Sequence, residues 1–395
     1  MCRTVNLRVK KRLRAPRFHG NLTERKPETN ETKRGERNGM RYLNGVKDLG
    51  VVLSPDGPGG ALYPWDGGGV REAVCDTEGG MYYLSYDGAM PGASRESYWN
   101  ACEARSADLL HWEKLGVTMK ASALTHPESS ERVYKDFRSA SSPWSFREGG
   151  KWYRYYLGAD HCSPEGVPAF QYSTMLAAAD SVAGPWRKRC DEPGCEKHIC
   201  FPMGVPGTWD DATASPGQVL RNPKYEADPA HEKKYLMFYS GSCTGVTKRS
   251  IGIARTDDLE AADDFDRTAG NFWQKDPRPI LPPEEDIENT SVFYEESSGW
   301  YWLFTNHIYR NSYTDAVWVY RTRDLEKWDA SEKAVVLDAS VCAWAKGAIG
   351  MPTVVRKDAD TLAMLYDAVP GGGTGHLNRS IGLAEIALPL SFARE

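Results

Sequence analysis

The chain has no apolar run approaching the length of a membrane span, so its body is expected to be soluble and to have no membrane partner. It also has no large charge excess of either sign. Over 395 residues the formal net charge is −5, which gives no reason to expect nucleic acid as a partner. Neither a heptad repeat nor a long helical periodicity is present. The first 40 residues, basic and polar with almost no aromatics, contain no apolar core of the kind a secretory peptide needs, and their several glutamates argue against a transit peptide. They read as a disordered tail, with residues 41–395 as a single domain, a cytoplasmic location, and Met40 as an alternative start.

Cysteine offers no disulfide framework: there are nine, an odd number, mostly scattered. Cys75, Cys102, Cys243 and Cys342 fall in or near expected strands, where a free thiol acts as a small apolar residue. Cys190, Cys195 and Cys200 lie close together with His198, but at wider gaps than most zinc fingers use. Thiols or a local disulfide are favoured there over a structural metal.

What the chain does have is an aromatic-rich run ending in a turn, five times over: MYYLSYDG (81–88), WYRYYLGAD (152–160), KYLMFYSG (234–241), WYWLFTNH (300–307) and TLAMLYDA (361–368). The spacing of about 60 to 80 residues suits one four-stranded blade with its loops. A second echo follows in phase, in ARSADLLHW (104–112), ARTDDLEAADDF (254–265) and YRTRDLEKW (320–328), with AAADSVAGPW (177–186) as a looser copy. Each reads as a strand, a tight turn and the start of an outer strand, and RSIG at 249–252 returns at 379–382. A third echo precedes the first: WDGGGVREAV (65–74), WDDATASPGQV (209–219) and WAKGAIGMPTVV (344–355). Three repeats in one register point to an all-β, five-bladed β-propeller of four-stranded antiparallel blades around a central axis. A β-sandwich would explain each run alone but not the shared phase.

Function in a propeller sits where the inner strands converge at one mouth of the channel. The acids at those places are Asp66 and Glu72, Asp136, Asp210 and Asp211, and Glu288. Trp65, Trp144, Trp209 and Trp344 stand beside them, and flat aromatic faces near carboxylates suit a sugar. Two histidines are further pocket candidates, His307 at the end of the fourth run and His376 before the second RSIG. Arg71, beside Glu72, either binds a substrate carboxylate such as a uronic acid or pairs with an acid, and pairing is the simpler reading.

These residues resemble the five-bladed propeller glycosidases, the group of glycoside hydrolase families 43, 32, 68, 117 and 130. The rim element at Arg105–Trp112 and Arg321–Trp328 matches the group, and the resemblance covers about residues 45 to 390. It implies hydrolysis of a glycosidic bond by paired carboxylates, with an oligosaccharide as partner. Glu288 is similar to the general acid that begins an inner strand, although the group has Glu-Gly-Pro or Glu-Cys-Pro where this chain has Glu-Asn-Thr. For the base or nucleophile the resemblance leaves Asp66 and Glu72 open, with Asp66 favoured; for the third, orienting carboxylate it leaves Asp211, Asp210 and Asp136 open. Trp144 occupies the place where family 43 carries that acid. Families 43 and 117 imply inversion, which is slightly favoured; families 32 and 68 imply retention.

Cleavage builds positive charge on the sugar ring, so one carboxyl must stay protonated while another stays ionised. Loops 88–100 and 370–378 are expected to close the pocket over a terminal sugar, giving exo-action. No cofactor is required; a calcium or sodium ion in the channel is compatible with the resemblance, but no oxygen-ligand loop of defined spacing is visible. Two alternatives stay open. One is a sugar-binding propeller without chemistry; the other is a glycoside phosphorylase whose phosphate site would draw on Arg71, His307, His376 and Arg379.

Overall fold

The computed structural model describes residues 40–55, 65–90, 98–130, 133–161, 172–244, 246–263, 272–309 and 313–393. The expected N-terminal tail, and residues 91–97 of one expected closing loop, lie outside the described residues. The described chain is nearly all-β, and none of its helices is long and apolar enough to cross a membrane.

A first strand, β1 (Val46–Leu53), precedes five antiparallel units. Unit one is β2 (Gly69–Glu78), β3 (Met81–Ala89), β4 (Trp99–Ser106) and β5 (Glu113–Met119). Unit two is β6 (Ser139–Glu148), β7 (Lys151–Ala159), β8 (Ser173–Ala179) and β9 (Arg187–Lys188). In unit three the inner strand is broken into β10 (Thr213–Ser215) and β11 (Val219–Arg221), followed by β12 (Tyr235–Cys243), β13 (Val246–Thr256) and β14 (Gln274–Lys275). Unit four is β15 (Ile287–Glu295), β16 (Trp300–Tyr309), β17 (Tyr313–Thr322) and β18 (Lys333–Asp338). Unit five has only β19 (Ile349–Arg356), β20 (Thr361–Ala368) and β21 (Ser380–Ala387) from its own stretch of sequence. Its outer strand is β1, paired antiparallel to β21 from Val46 opposite Ile386 to Leu53 opposite Ile381.

The repeated aromatic runs are the second strands of these units, and they are apolar on both faces because each unit is packed on both sides. Side chains alternate across a strand, so successive residues serve different cores. On β12, Tyr235, Met237 and Tyr239 join Tyr155 and Leu176 of unit two, whereas Leu236 and Phe238 join Leu303 and Trp318 of unit four. On β20, Met364 and Tyr366 pack with Trp302 and Phe304 of unit four, and Ala363 and Leu365 with Leu84 and Tyr86 of unit one. A further cluster joins Ala101 and Met119 of unit one to Trp152, Tyr156 and Met175 of unit two. Every consecutive pair of units therefore shares a core, and so do the last and the first.

Each inner strand carries a bulge at the same place. The register slips between Arg71 and Val74, Ser141 and Trp144, Glu288 and Ser291, and Gly350 and Thr353, and unit three breaks between Ser215 and Val219. Bulges re-aim side chains and bend the strand. At four of the five the bulged residue has positive φ: Glu72 (50°), Ser142 (45°), Asn289 (63°) and Met351 (51°). Its N–H is taken by the next-to-last residue of the aromatic run of the preceding unit. Ser142 donates to Asp87, Asn289 to Ser240 (3.1 Å), Met351 to Asn306 (3.0 Å) and Glu72 to Asp367 (2.9 Å). In unit three the bulge begins with Pro216, which has no N–H to donate, and the facing position of unit two is Leu157, which has no side-chain acceptor. Donor and acceptor are lost together.

Candidate active site

Four of these bulges and clasps, with residues at or near the starts of the third strands, bring a set of charged side chains together. Glu72 lies on the β2 bulge, with Ser142 of the β6 bulge donating its hydroxyl to Oε2. Arg71 Nη2 stands 3.2 Å from Glu72 Oε1 and 3.6 Å from Asp87 Oδ2, and the guanidinium stacks 3.9 Å from the ring centre of Trp99. Its Nη1 meets His376 Nδ1 at 3.3 Å. Fully buried Arg379 donates to Asp367 Oδ1 at 2.6 Å, and Asp367 also receives the Glu72 N–H. Across the site Arg249 Nε lies 3.1 Å from Glu288 Oε1, with Asp286 accepting the Arg249 backbone N–H at 2.8 Å.

The two glutamates have different surroundings. Burial raises the pKa of Glu72; Arg71 and Arg379 pull it down, whereas Glu288 and Asp367 push it further up. Burial is the largest of these influences, so the balance lies upward although Arg71 is in contact. Asp87 is driven well above the ordinary carboxylate range by burial and then by Glu72. Glu288 reaches solvent more than Glu72 does, with side-chain exposures of 20% and 13%, and has Arg249 as its cation. His376, exposed as a whole residue, is nonetheless lowered to about 3, by loss of water around the ring and then by Arg71, Arg379 and Arg249. Two buried donors in this cluster, Arg71 Nε and Arg379 Nη2, have no acceptor among the described residues. Each such orphan costs about 1–3 kcal/mol unless something supplies an oxygen.

Of the four carboxylates expected to carry chemistry, Glu72 and Glu288 meet here, and Asp66 and Asp211 lie elsewhere. Asp66, 1% exposed, accepts Tyr86 (3.1 Å) and Lys114 (2.5 Å) on the side of the outer strand. The same arrangement recurs. Asp136 holds Tyr156 (3.0 Å) and Lys188 (2.9 Å), Asp210 holds Tyr239 (2.9 Å) and Lys275 (2.5 Å), and Glu285 holds Tyr320 and Lys333. These are acids neutralised inside their own units. Asp211 staples a loop by accepting the N–H groups of Gly207 and Thr244, which lower its pKa.

The expected sugar-facing residues divide in the same way. Arg71 and His376 are in the cluster, and Trp144 is buried on β6 two residues past Ser142. His307 is in unit four, stacked on Trp318 at 4.3 Å with Nε2 2.7 Å from the Tyr320 hydroxyl. Trp65 packs against the core shared by units one and five. Trp209 tilts against Tyr239, and Trp344 donates to the Tyr366 hydroxyl at 2.7 Å. Cys190 and Cys200 are free thiols buried in different cores, and Cys195 is free as well. No group of three or more His, Cys, Asp and Glu among the described residues is arranged to hold a metal ion.

Several members were not read from the sequence as site residues: Asp87, Asp367, Ser142, Arg249 and Trp99. The signal was present for some of them. Asp87 and Asp367 directly follow the tyrosine of their aromatic runs, and Arg249 and Arg379 open the two RSIG copies.

Comparison with protein-family models and with curated proteins finds no match. Comparison with solved structures finds many. One described simply as a glycoside hydrolase matches with a TM-score of 0.62 at 15% identity, over 91% of this chain and 95% of that one. Zg3597, a family 117 glycoside hydrolase of the marine bacterium Zobellia galactanivorans, matches with a TM-score of 0.58 at 16% identity, over 87% of this chain and 90% of that one. The catalytic domain of a family 62 α-L-arabinofuranosidase of Coprinopsis cinerea gives 0.55 at 11%, over 87% and 98%. These structural neighbours are glycoside hydrolases of propeller families, and at such identities the likeness shows a shared fold.

Proposed function

We propose that this chain is a glycoside hydrolase on a closed five-bladed propeller, using Glu72 and Glu288 as its catalytic pair. Closure is supported by three links between the two ends of the fold: β1 completing the last unit, the core shared by units five and one, and the Glu72–Asp367 clasp. The observation that carries the chemistry is the unequal treatment of two glutamates at corresponding bulges. Glu72 is pushed toward its protonated form, and Glu288 is held beside Arg249. That division is what glycosidic cleavage asks of two carboxyls. The reading makes Glu72 the general acid and Glu288 the base or nucleophile, whereas the resemblance implies Glu288 as the acid and leaves the base between Asp66 and Glu72. Asp66, Asp136 and Asp210 then serve stability, and Asp367 tunes Glu72.

Exo-action is supported by the 370–378 loop, which brings His376 against Arg71 beside Glu72. It is pinned by Lys346 N–H to Gly371 O (2.6 Å), Ala348 N–H to Gly373 O (2.8 Å) and Asn378 N–H to Gly68 O (2.8 Å). Turnover is expected to be independent of phosphate, because only three of the four phosphate-site candidates converge, with His307 in a separate cluster.

The test is a panel of aryl glycosides and oligosaccharides run on the wild type, Glu72→Gln and Glu288→Gln. Loss of the acid should slow substrates with poor leaving groups far more than activated aryl glycosides, whereas loss of Glu288 should slow both alike. Turnover that survives intact in both variants refutes the pair.

A further inference from the structure

The donors of this mouth outnumber its free acceptors, of which Asp87 Oδ2, 3.6 Å from Arg71 Nη2, is a buried one with no hydrogen-bond donor among the described residues. Asp367 already takes the Arg379 guanidinium and the Glu72 N–H, Asp87 takes the Ser142 N–H, and Glu288 lies against Arg249. Arg71 Nε and Arg379 Nη2 have no acceptor among the described residues. His376 adds a third donor by elimination. A guanidinium only donates, so Nδ1 of His376 must accept from Arg71, and the ring proton sits on Nε2. Arg71 is also held rigid, fixed by Trp99 beneath it and by contacts on both Nη atoms, so little freedom remains to be lost on binding.

Neutral sugar hydroxyls donate as well as accept, whereas a carboxylate only accepts and fits the planar guanidinium fork. We propose that the sugar bound at this mouth carries a carboxylate, seated among Arg71, Arg379 and His376. This rests on the glycosidase reading of the same site and adds its substrate class: an acidic sugar, in contrast to a neutral pentose or hexose. The depressed imidazole basicity agrees with a neutral His376 that donates from Nε2.

The experiment is a calorimetric titration of the full chain with D-glucuronate and D-galacturonate, against D-glucose, D-galactose and inorganic phosphate, at low and high salt. A carboxylate received by charged donors should bind about ten- to a hundredfold tighter than its neutral parent and weaken as salt is raised. His376→Ala, which removes an exposed side chain and should leave the fold intact, is expected to narrow that preference. Neutral sugars binding as well as uronates, binding of phosphate alone, or no uronate binding at millimolar concentration overturns the proposal. Parallel hydrolysis assays keep the two readings apart. Turnover of neutral glycosides with no preference for uronosides leaves the hydrolase and removes the acidic sugar; uronate binding without any turnover does the reverse.

Discussion

Replacing Arg154 by methionine tests whether buried charge holds units one and two together. Arg154 is fully buried on β7, and both Nη atoms lie 3.2 Å from Oε2 of Glu103, itself fully buried on β4. Nε donates to Ser145 at 3.0 Å, and the guanidinium stacks on Trp186 at 3.8 Å. Without it Glu103 retains, among the described residues, only the Ser85 hydroxyl, at 3.0 Å. Breaking one side of a buried pair costs about 3–5 kcal/mol, equivalent to a fall in guanidinium midpoint on the order of 0.5–1 M for a chain of this size.

The defect should depend on pH in a set direction. Burial already raises the pKa of Glu103, and Arg154 is the largest influence holding it down. A carboxyl whose folded pKa exceeds its unfolded value contributes stability that is present below the unfolded pKa and lost as pH rises through the folded one. Removing Arg154 moves the folded pKa further up, so the variant should fall furthest behind the wild type near neutrality and recover in mild acid. Glu103→Leu in the Arg154→Met background should regain most of the loss. A single variant within about 1 kcal/mol of wild type, the upper worth of an ordinary exposed pair, or a double variant worse than either single, would refute this account.

Glu72→Gln and Glu288→Gln should each lower kcat/KM by about 10²–10⁴ on unactivated substrates, measured on protein whose folding is checked by circular dichroism. The alkaline limb of the wild-type pH–rate profile should report Glu72 and move to lower pH in Asp367→Asn, since the Asp367 charge pushes the Glu72 pKa up. Asp66→Asn should retain kcat but unfold at lower denaturant, because its partners are Tyr86 and Lys114; loss of kcat in folded protein would return Asp66 to the catalytic pair. Gly217→Ala should destabilise strongly, since a Cβ there would lie 1.7 Å from the Phe238 carbonyl oxygen; an unchanged midpoint would show that the β10–β11 break has room to move.

The strand content and the recurrence of one apolar strand were legible in the sequence because they are local. A strand buried on both faces must be apolar at nearly every position, and each of the five such runs is the second strand of its antiparallel set. Glu72, Arg71, Glu288 and His376 were legible as candidates because they stand at fixed distances from those runs. Their roles were not. Asp66 and Glu72 are six positions apart on one stretch of sequence, and composition gives them equal claims. Only the tertiary structure separates them, by giving Asp66 a tyrosine and a lysine on the outer side of its unit and Glu72 a place among Arg71, Ser142 and Asp367.

The decisive partners are remote in sequence: Asp367 is 295 positions from Glu72, and His376 is 305 from Arg71. A repeat pattern carries which residues enter strands, since that depends on burial within a few neighbours. Protonation and pairing depend on charges brought together when the last unit packs against the first, and no local pattern records which charges those are.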